Sequence, residues 1–440
     1  MQFQKNTILD KLFWIFLFLF TDPGGFQQGY FERKLIGQIN FSDIIFVILS
    51  VLYFLLPNKH TPANNKLLRN FLIIILIWLL YYVFVFGLFN NHNDSFTFFL
   101  IKSRYAIYTV FIAFYCANFT FRNTKLFFEN LRVFSFIIFF LFFITVITNL
   151  PITPLMVFER GFVNTDRLLM YSYSFLPYLI PIALILSFFK FPLKGKNIWI
   201  LLGSLMLVTW ILSLTRRHML FTILYTFIIL FLAYKFGVRK SILSPKLVLL
   251  ILIPILFLSI FFKNYAGDSE NLVNETISLI TTGETSSGTI DKRISLTANY
   301  FIIGKFLDNQ LFGTGYDYLW NTEEGDKLGY ESTDYPFLAT LAQFGIIGLL
   351  LFCPVYFFVY NLLIKVYKDV RNEIVFQSSI YDSILFLLIT SVLILNIFLF
   401  TYWFYPANIN IHNFEFYVFV GMLIGIQNRN TFHTFKHSVN

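Results

Sequence analysis

Apolar runs recur along the whole chain, near residues 8–21, 43–57, 70–89, 104–119, 133–149, 174–189, 197–214, 218–234, 247–262, 336–361, 380–400 and 414–427. Several are shorter than the ideal span of roughly 20 residues, but charge is nearly absent inside all of them. In lipid a backbone can satisfy its own polar groups only as a helix or a closed barrel, and runs of this length and continuity favour helices. They predict an all-α polytopic membrane helix bundle of about 12 transmembrane helices. Composition excludes the soluble alternative. Only 13% of the 440 residues are charged and 57% are hydrophobic, whereas a soluble domain carries roughly a quarter charged residues. The first run follows a basic start as a signal peptide does, but no small-residue cleavage site follows it, so it is read as a retained helix.

The charges between the runs predict orientation. Basic residues gather in alternate connections, at Lys59, Lys66 and Arg69, then Arg122, Lys125 and Arg132, then Lys190, Lys194 and Lys196, and again at Lys235, Arg239 and Lys240. Short cytoplasmic connections are enriched in Lys and Arg, so both termini are expected in the cytoplasm. The net charge of +9 and pI near 9.2 then reflect topology, and no nucleic-acid partner is expected. Most acidic residues fall on the other side, concentrated in residues 263–335.

That segment divides the chain into three parts: residues 1–262 with the first nine helices, a large outer loop at 263–335, and 336–440 with the last three helices and a cytoplasmic tail. A connection of 73 residues is far longer than usual, and such loops are functional or disordered. This one contains patterned sequence. Ile290, Ile294, Ala298 and Phe301 share helical spacing, which predicts a short amphipathic helix at the membrane boundary. A turn-rich LFGTGYDYL follows, and Pro336 suits the first turn of the next helix.

Arginines recur on the outer side against the orientation bias: Arg104, Arg160, Arg167, Arg216, Arg217 and Arg293. For a single one of them, snorkelling of the guanidinium to water is a sufficient account. Arg216 and Arg217 lie with hardly any loop in an almost unbroken apolar stretch from Ile198 to Ala233, where two adjacent guanidiniums repel unless an anion lies nearby. Charge at membrane depth marks a polar pathway or cavity, and the guanidinium fork matches phosphate oxygens. A phosphate or pyrophosphate site is therefore expected there, with His218 beside it as proton carrier or phosphate donor.

Other chemistry is weaker. Cys116 and Cys353 both lie in apolar runs, and His433 and His437 in the tail lack acidic partners, so no metal and no cofactor are expected. P-loop, G-x-S-x-G and His-Glu-x-x-His patterns are absent from the sequence. Asp317, Glu331 and Asp334 are loop carboxylates suited to activating a hydroxyl, although Asp334 is equally placed to cap the following helix.

The stretch from Arg293 to Leu351 resembles the O-antigen polymerase and ligase superfamily, the Wzy-like and WaaL-like membrane glycosyltransferases of bacterial polysaccharide assembly. An Arg-bearing amphipathic segment leads to LFGTGYDYL and then to a helix with QFGIIGLLLF, similar to the family's Leu-x-Gly-x-Gly turn and Gly-[Ile/Leu]-[Ile/Leu]-Gly helix. The basic pair after the seventh run looks like the family's signature at that place. Ligase-type members carry a His-Asn pair at the start of the post-loop helix. Asp334 and Tyr335 occupy those positions here, and the loop has no histidine, a departure that favours a polymerase.

The resemblance implies glycosyl transfer at the periplasmic face of the bacterial inner membrane. Its substrates would be undecaprenyl-pyrophosphate-linked oligosaccharides, its catalytic residues Asp334, Arg216, Arg217 and Arg293, and its substrate-binding residues Arg160, Arg167, Arg104, His218, Asp317, Glu331 and Tyr335. A membrane chain-length regulator would be a partner. The rivals are an O-antigen ligase and a lipid-linked oligosaccharide flippase, the latter disfavoured by the long loop and by the lack of internal repeats.

Overall fold

The computed structural model describes residues 7–20, 41–56, 65–89, 96–148, 156–160, 166–170, 175–189, 191–212, 216–236, 306–307, 309–313, 336–376, 380–399 and 414–439. Eleven of the twelve apolar runs lie on helices: α1 (Thr7–Phe20), α2 (Phe41–Phe54), α3 (Lys66–Phe89), α4 (Phe96–Arg122), α5 (Thr124–Thr148), α6 (Leu179–Phe188, preceded by a 3-10 turn at Leu176–Tyr178), α7 (Lys196–Leu212), α8 (Arg216–Lys235), α9 (Pro336–Phe376), α10 (Ile380–Leu399) and α11 (Phe414–Val439). The run at 247–262 and the amphipathic segment at 290–301 lie outside the described residues. Between α5 and α6 the chain also forms an antiparallel hairpin, β1 (Met156–Arg160) with β2 (Asp166–Met170), in which Arg160 pairs with Asp166 and Glu159 with Arg167.

The surface of these helices identifies their solvent. On α2, Ile44, Val47, Val51 and Phe54 form an exposed stripe while Ile45, Leu49 and Leu52 are buried. On α3, Ile73, Leu76, Ile77 and Leu80 are exposed while Leu68, Phe71, Ile75 and Trp78 are buried. Val133, Ile137 and Phe140 on α5, and Ile223, Phe227 and Phe231 on α8, continue the pattern. A soluble helix places polar residues on its outer face. Here both faces are apolar, as a bundle in lipid requires. Thr124–Ile144 and Phe344–Asp369 are each long and apolar enough to span a membrane by length and composition.

Every residue of α6 is buried, which makes it the central helix. Against this core α4 and α11 run parallel and nearly touch at the backbone. A Cβ on Gly421 would lie 2.2 Å from the Ala113 carbonyl oxygen, and one on Gly425 would lie 2.5 Å from that of Ala117. Small residues at this four-residue spacing permit the close van der Waals contact that drives helix association where no hydrophobic effect operates.

Polar contacts then fix which ends of the helices lie together. The Arg122 Nε donates to Asp10 at 3.0 Å, with both side chains under one-tenth exposed. Arg429 pairs with Asp382 and donates to the Thr124 hydroxyl at 2.9 Å and the Thr120 carbonyl at 3.3 Å, while the Thr124 hydroxyl itself donates to Asp382. This network joins the starts of α1, α5 and α10 to the end of α4 and to Arg429, just past the apolar run of α11, as alternation through the expected spans requires. We call this the first end of the bundle.

Phe71 packs on Phe358 and Trp78 on Phe352 and Phe344, so α3 and α9 are antiparallel. Phe236, just beyond α8, packs on both Phe189 and Tyr367. Thus α8 and α9 run in the same direction, and the connection 237–335 leaves one end of the bundle and returns at the other.

Candidate active site at the second end of the bundle

The second end carries a break in α9. Gly345 has φ 64° and ψ −171°, a conformation essentially reserved for glycine, and it divides the helix into a short piece from Pro336 and a long piece from Ile346. The five residues Asn309–Gly313 close the break. Ile346 N–H donates to the Gln310 carbonyl at 2.9 Å and Ile347 N–H to the Leu311 carbonyl at 3.1 Å, so the first donors of the long piece, unmatched within their own helix, find partners.

The segment holds its own turn through Gly313 N–H to the Asn309 carbonyl at 2.8 Å and Phe312 N–H to the Asn309 Oδ1 at 3.3 Å. On the other side Tyr81 of α3 donates its hydroxyl to the Phe344 carbonyl at 2.7 Å, and the Trp78 ring meets Phe344 edge-on. The two glycine patterns that stand about 30 residues apart in sequence, Leu311-Phe312-Gly313 and Gly345-Ile346-Ile347-Gly348, are thus one joint. It holds Asn309–Gly313 at the second end of the bundle.

Several sequence-predicted site residues have backbones at this same end. Arg216, Arg217 and His218 form the first turn of α8. Arg104 lies 18 residues before Arg122 on α4, about 27 Å along the axis at 1.5 Å per residue, which places it opposite the first end. Arg160 closes β1, and Arg167 lies in β2, which approaches α7. Arg293, Asp317, Glu331, Asp334 and Tyr335 lie outside the described residues, although Asp334 and Tyr335 directly precede the first residue of α9 in sequence.

Sequence reasoning passed over one carboxylate. Glu415, in the first turn of α11, accepts a hydrogen bond from the Tyr178 hydroxyl. Tyr178 is 5% exposed at the entry to α6. Phe175 and Phe419 pack around Tyr178. The available signal was an acid embedded in an apolar run, Phe-Glu-Phe-Tyr-Val-Phe. Among the described residues no three His, Cys, Asp or Glu side chains gather as a metal site.

A family model described as O-antigen ligase matches residues 201–353. The match runs from α7 through α8 and the long connection to Cys353 on α9, and therefore covers the arginine pair, the loop carboxylates and both halves of the glycine joint. No curated protein matches the chain. The family is one of membrane enzymes that transfer glycans from lipid-linked substrates, in agreement with helices that are apolar on all sides. Over residues 201–353 the chain is therefore similar to the O-antigen ligase family, which supports the O-antigen ligase and polymerase superfamily.

Proposed function

We propose that this protein polymerises undecaprenyl-pyrophosphate-linked oligosaccharide repeat units into O-antigen or a related surface polysaccharide, at the periplasmic face of the bacterial inner membrane. The observation that carries this reading is the match over 201–353 combined with an Asp-Tyr pair, not a His-Asn pair, before α9. In the reaction a sugar hydroxyl of the acceptor attacks the anomeric carbon of the donor. The bond from that carbon to the pyrophosphate breaks, and its electron pair remains on the pyrophosphate oxygen.

Arg216, Arg217 and Arg293 stabilise the charge that grows on this leaving group, with Arg104, Arg160 and Arg167 binding the lipid pyrophosphates. Asp334 takes the proton of the attacking hydroxyl, and Tyr335, Asp317, Glu331 and His218 contact the sugars and phosphates. A single displacement of this kind inverts the anomeric configuration. No metal or nucleotide enters the scheme, because the donor is already activated by its pyrophosphate. Both termini are cytoplasmic, and a membrane chain-length regulator is the expected partner.

The description of the matched family favours a second reading, in which the same site ligates the glycan to another acceptor. Deletion of the gene separates the two. A polymerase deletion leaves single repeat units on the carrier and on the final acceptor. A ligase deletion leaves long chains on the carrier and none on the acceptor.

A further inference from the structure

We infer that the first end of the bundle carries a binding site for one anionic phospholipid, its headgroup phosphate held by Arg132, Lys194 and Lys196 and an acyl chain laid along α5 and α7. The inference goes beyond the glycosyl-transfer reading and holds whichever reaction the chain performs. Phe236 packs on both Phe189 and Tyr367, which places the turn from α6 to α7 at the first end. That turn passes through Gly195 at φ 76°, a left-handed conformation that favours glycine. Lys194 and Lys196 stand on either side of it in the chain.

Arg132 comes to this turn from another helix. Its backbone lies eight residues past Thr124 at the start of α5, about 12 Å along the axis. Its Nη1 nevertheless lies 3.7 Å from the point that a Cβ on Gly195 would occupy, so the apolar stem carries the guanidinium to the turn. Phe128 meets Trp199 edge-on with ring centres 6.0 Å apart and also packs on Tyr381. These contacts fix α5 beside α7 and make the approach of Arg132 part of the fold. Lys194 is exposed, and Arg132 and Lys196 are partly so. Among the described residues none of the three makes an ion pair. The acid on this part of α5, Glu129, is engaged by Lys125 at 3.1 Å.

The surface beyond these cations is apolar. Phe136 and Phe140, one and two turns past Arg132 on α5, are exposed, as is Leu201 on α7. A cationic rim above an apolar surface matches a molecule with phosphate at one end and hydrocarbon at the other. Free phosphate would use only the rim, and a zwitterionic lipid would bring a cation of its own to it. Basic pockets between transmembrane helices at a membrane surface select anionic headgroups, and a guanidinium offers paired donors to phosphate oxygens.

The test uses the full-length protein, stripped of lipid in detergent, with bound lipid counted by native mass spectrometry. The probes are phosphatidylglycerol and phosphatidylcholine with identical chains. The parent should bind one phosphatidylglycerol about ten-fold or more tighter than one phosphatidylcholine, since each basic residue near a membrane surface contributes about five-fold. Combining Arg132→Gln, Lys194→Gln and Lys196→Gln should bring the two lipids within about threefold of each other. Lys66→Gln, Lys365→Gln and Lys368→Gln together remove the same charge elsewhere at the first end and should leave the preference intact. Lys194→Gln alone, on an exposed residue outside every helix, should cost about five-fold whether or not the triple variant folds.

Unchanged preference in the triple variant, or in Lys194→Gln alone, overturns the assignment. An equal loss in the Lys66, Lys365 and Lys368 variant also overturns it, because diffuse surface charge would then suffice. Displacement of the lipid by excess inorganic phosphate, or tighter binding of a polyprenyl phosphate than of phosphatidylglycerol, overturns the choice of a phospholipid.

Discussion

Replacing Gly345 with alanine should unfasten the outer segment from the bundle. At φ 64° and ψ −171° a residue with a side chain is strained by about 1–3 kcal/mol. The added Cβ would lie 2.3 Å from the Leu311 carbonyl oxygen and 2.6 Å from the Gly313 nitrogen. Both are backbone atoms, so no rotamer change relieves the overlap. Asn309–Gly313 must retreat, and the bonds from Ile346 and Ile347 go with it, each worth about 0.5–1.5 kcal/mol. The combined loss is about 2–6 kcal/mol.

Because each 1.4 kcal/mol is a factor of ten, the Ile346 and Ile347 amides should exchange about 30-fold faster or more. Hydrogen exchange with mass spectrometry on detergent-solubilised protein reads this directly, with peptides over 309–313 showing the same change. Polymer formation should fall with it. Exchange within about threefold of the parent at Ile346 and Ile347 would refute the joint.

Three further outcomes follow from the same contacts. Arg429→Met removes the guanidinium from the buried Asp382 and should lower stability by about 3–5 kcal/mol in thermal unfolding, while Asp382→Asn in the same chain should restore most of it; an additive double variant would exclude the pairing. Cysteines placed at Asn93, Ser286 and Asn408 should react with an impermeant reagent from outside and one at Lys194 should not, as the charge pattern requires; protection at Ser286 would invert the orientation. Arg216→Lys and Arg217→Lys keep the charge but lose the planar fork, so both should reach the membrane at parental levels with polymerisation down ten-fold or more, and full activity of the alanine pair would exclude a pyrophosphate site there.

Much of the helical architecture was legible because lipid imposes one rule on every span, an apolar run with charges left at its ends. Eleven runs obey it, and their alternation reappears in the Asp10–Arg122 and Asp382–Arg429 contacts. The glycine joint was visible only as two separate patterns. Sequence marks Gly313 and Gly345 as special but cannot say that one closes on the other, because that pairing is a tertiary hydrogen-bond match. The close packing of Gly421 on Ala113 was likewise hidden, since small residues in apolar helices are common.

The hairpin between α5 and α6 went unread because its strands are only five residues each and sit between stronger helical signals. Glu415 escaped for a different reason. An acid at the head of a helix reads as a response to the helix dipole, and only the hydrogen bond from Tyr178 shows that it also ties the start of α11 to the entry of α6.

The central claim is that this chain joins lipid-linked repeat units to one another, and reconstitution tests it most directly. Purified protein in nanodiscs, supplied with undecaprenyl-pyrophosphate repeat units alone, should produce a ladder of longer glycans still on the carrier, with one free undecaprenyl pyrophosphate released per linkage. Release without a ladder, or a ladder that appears only when a different acceptor is added, would contradict the account.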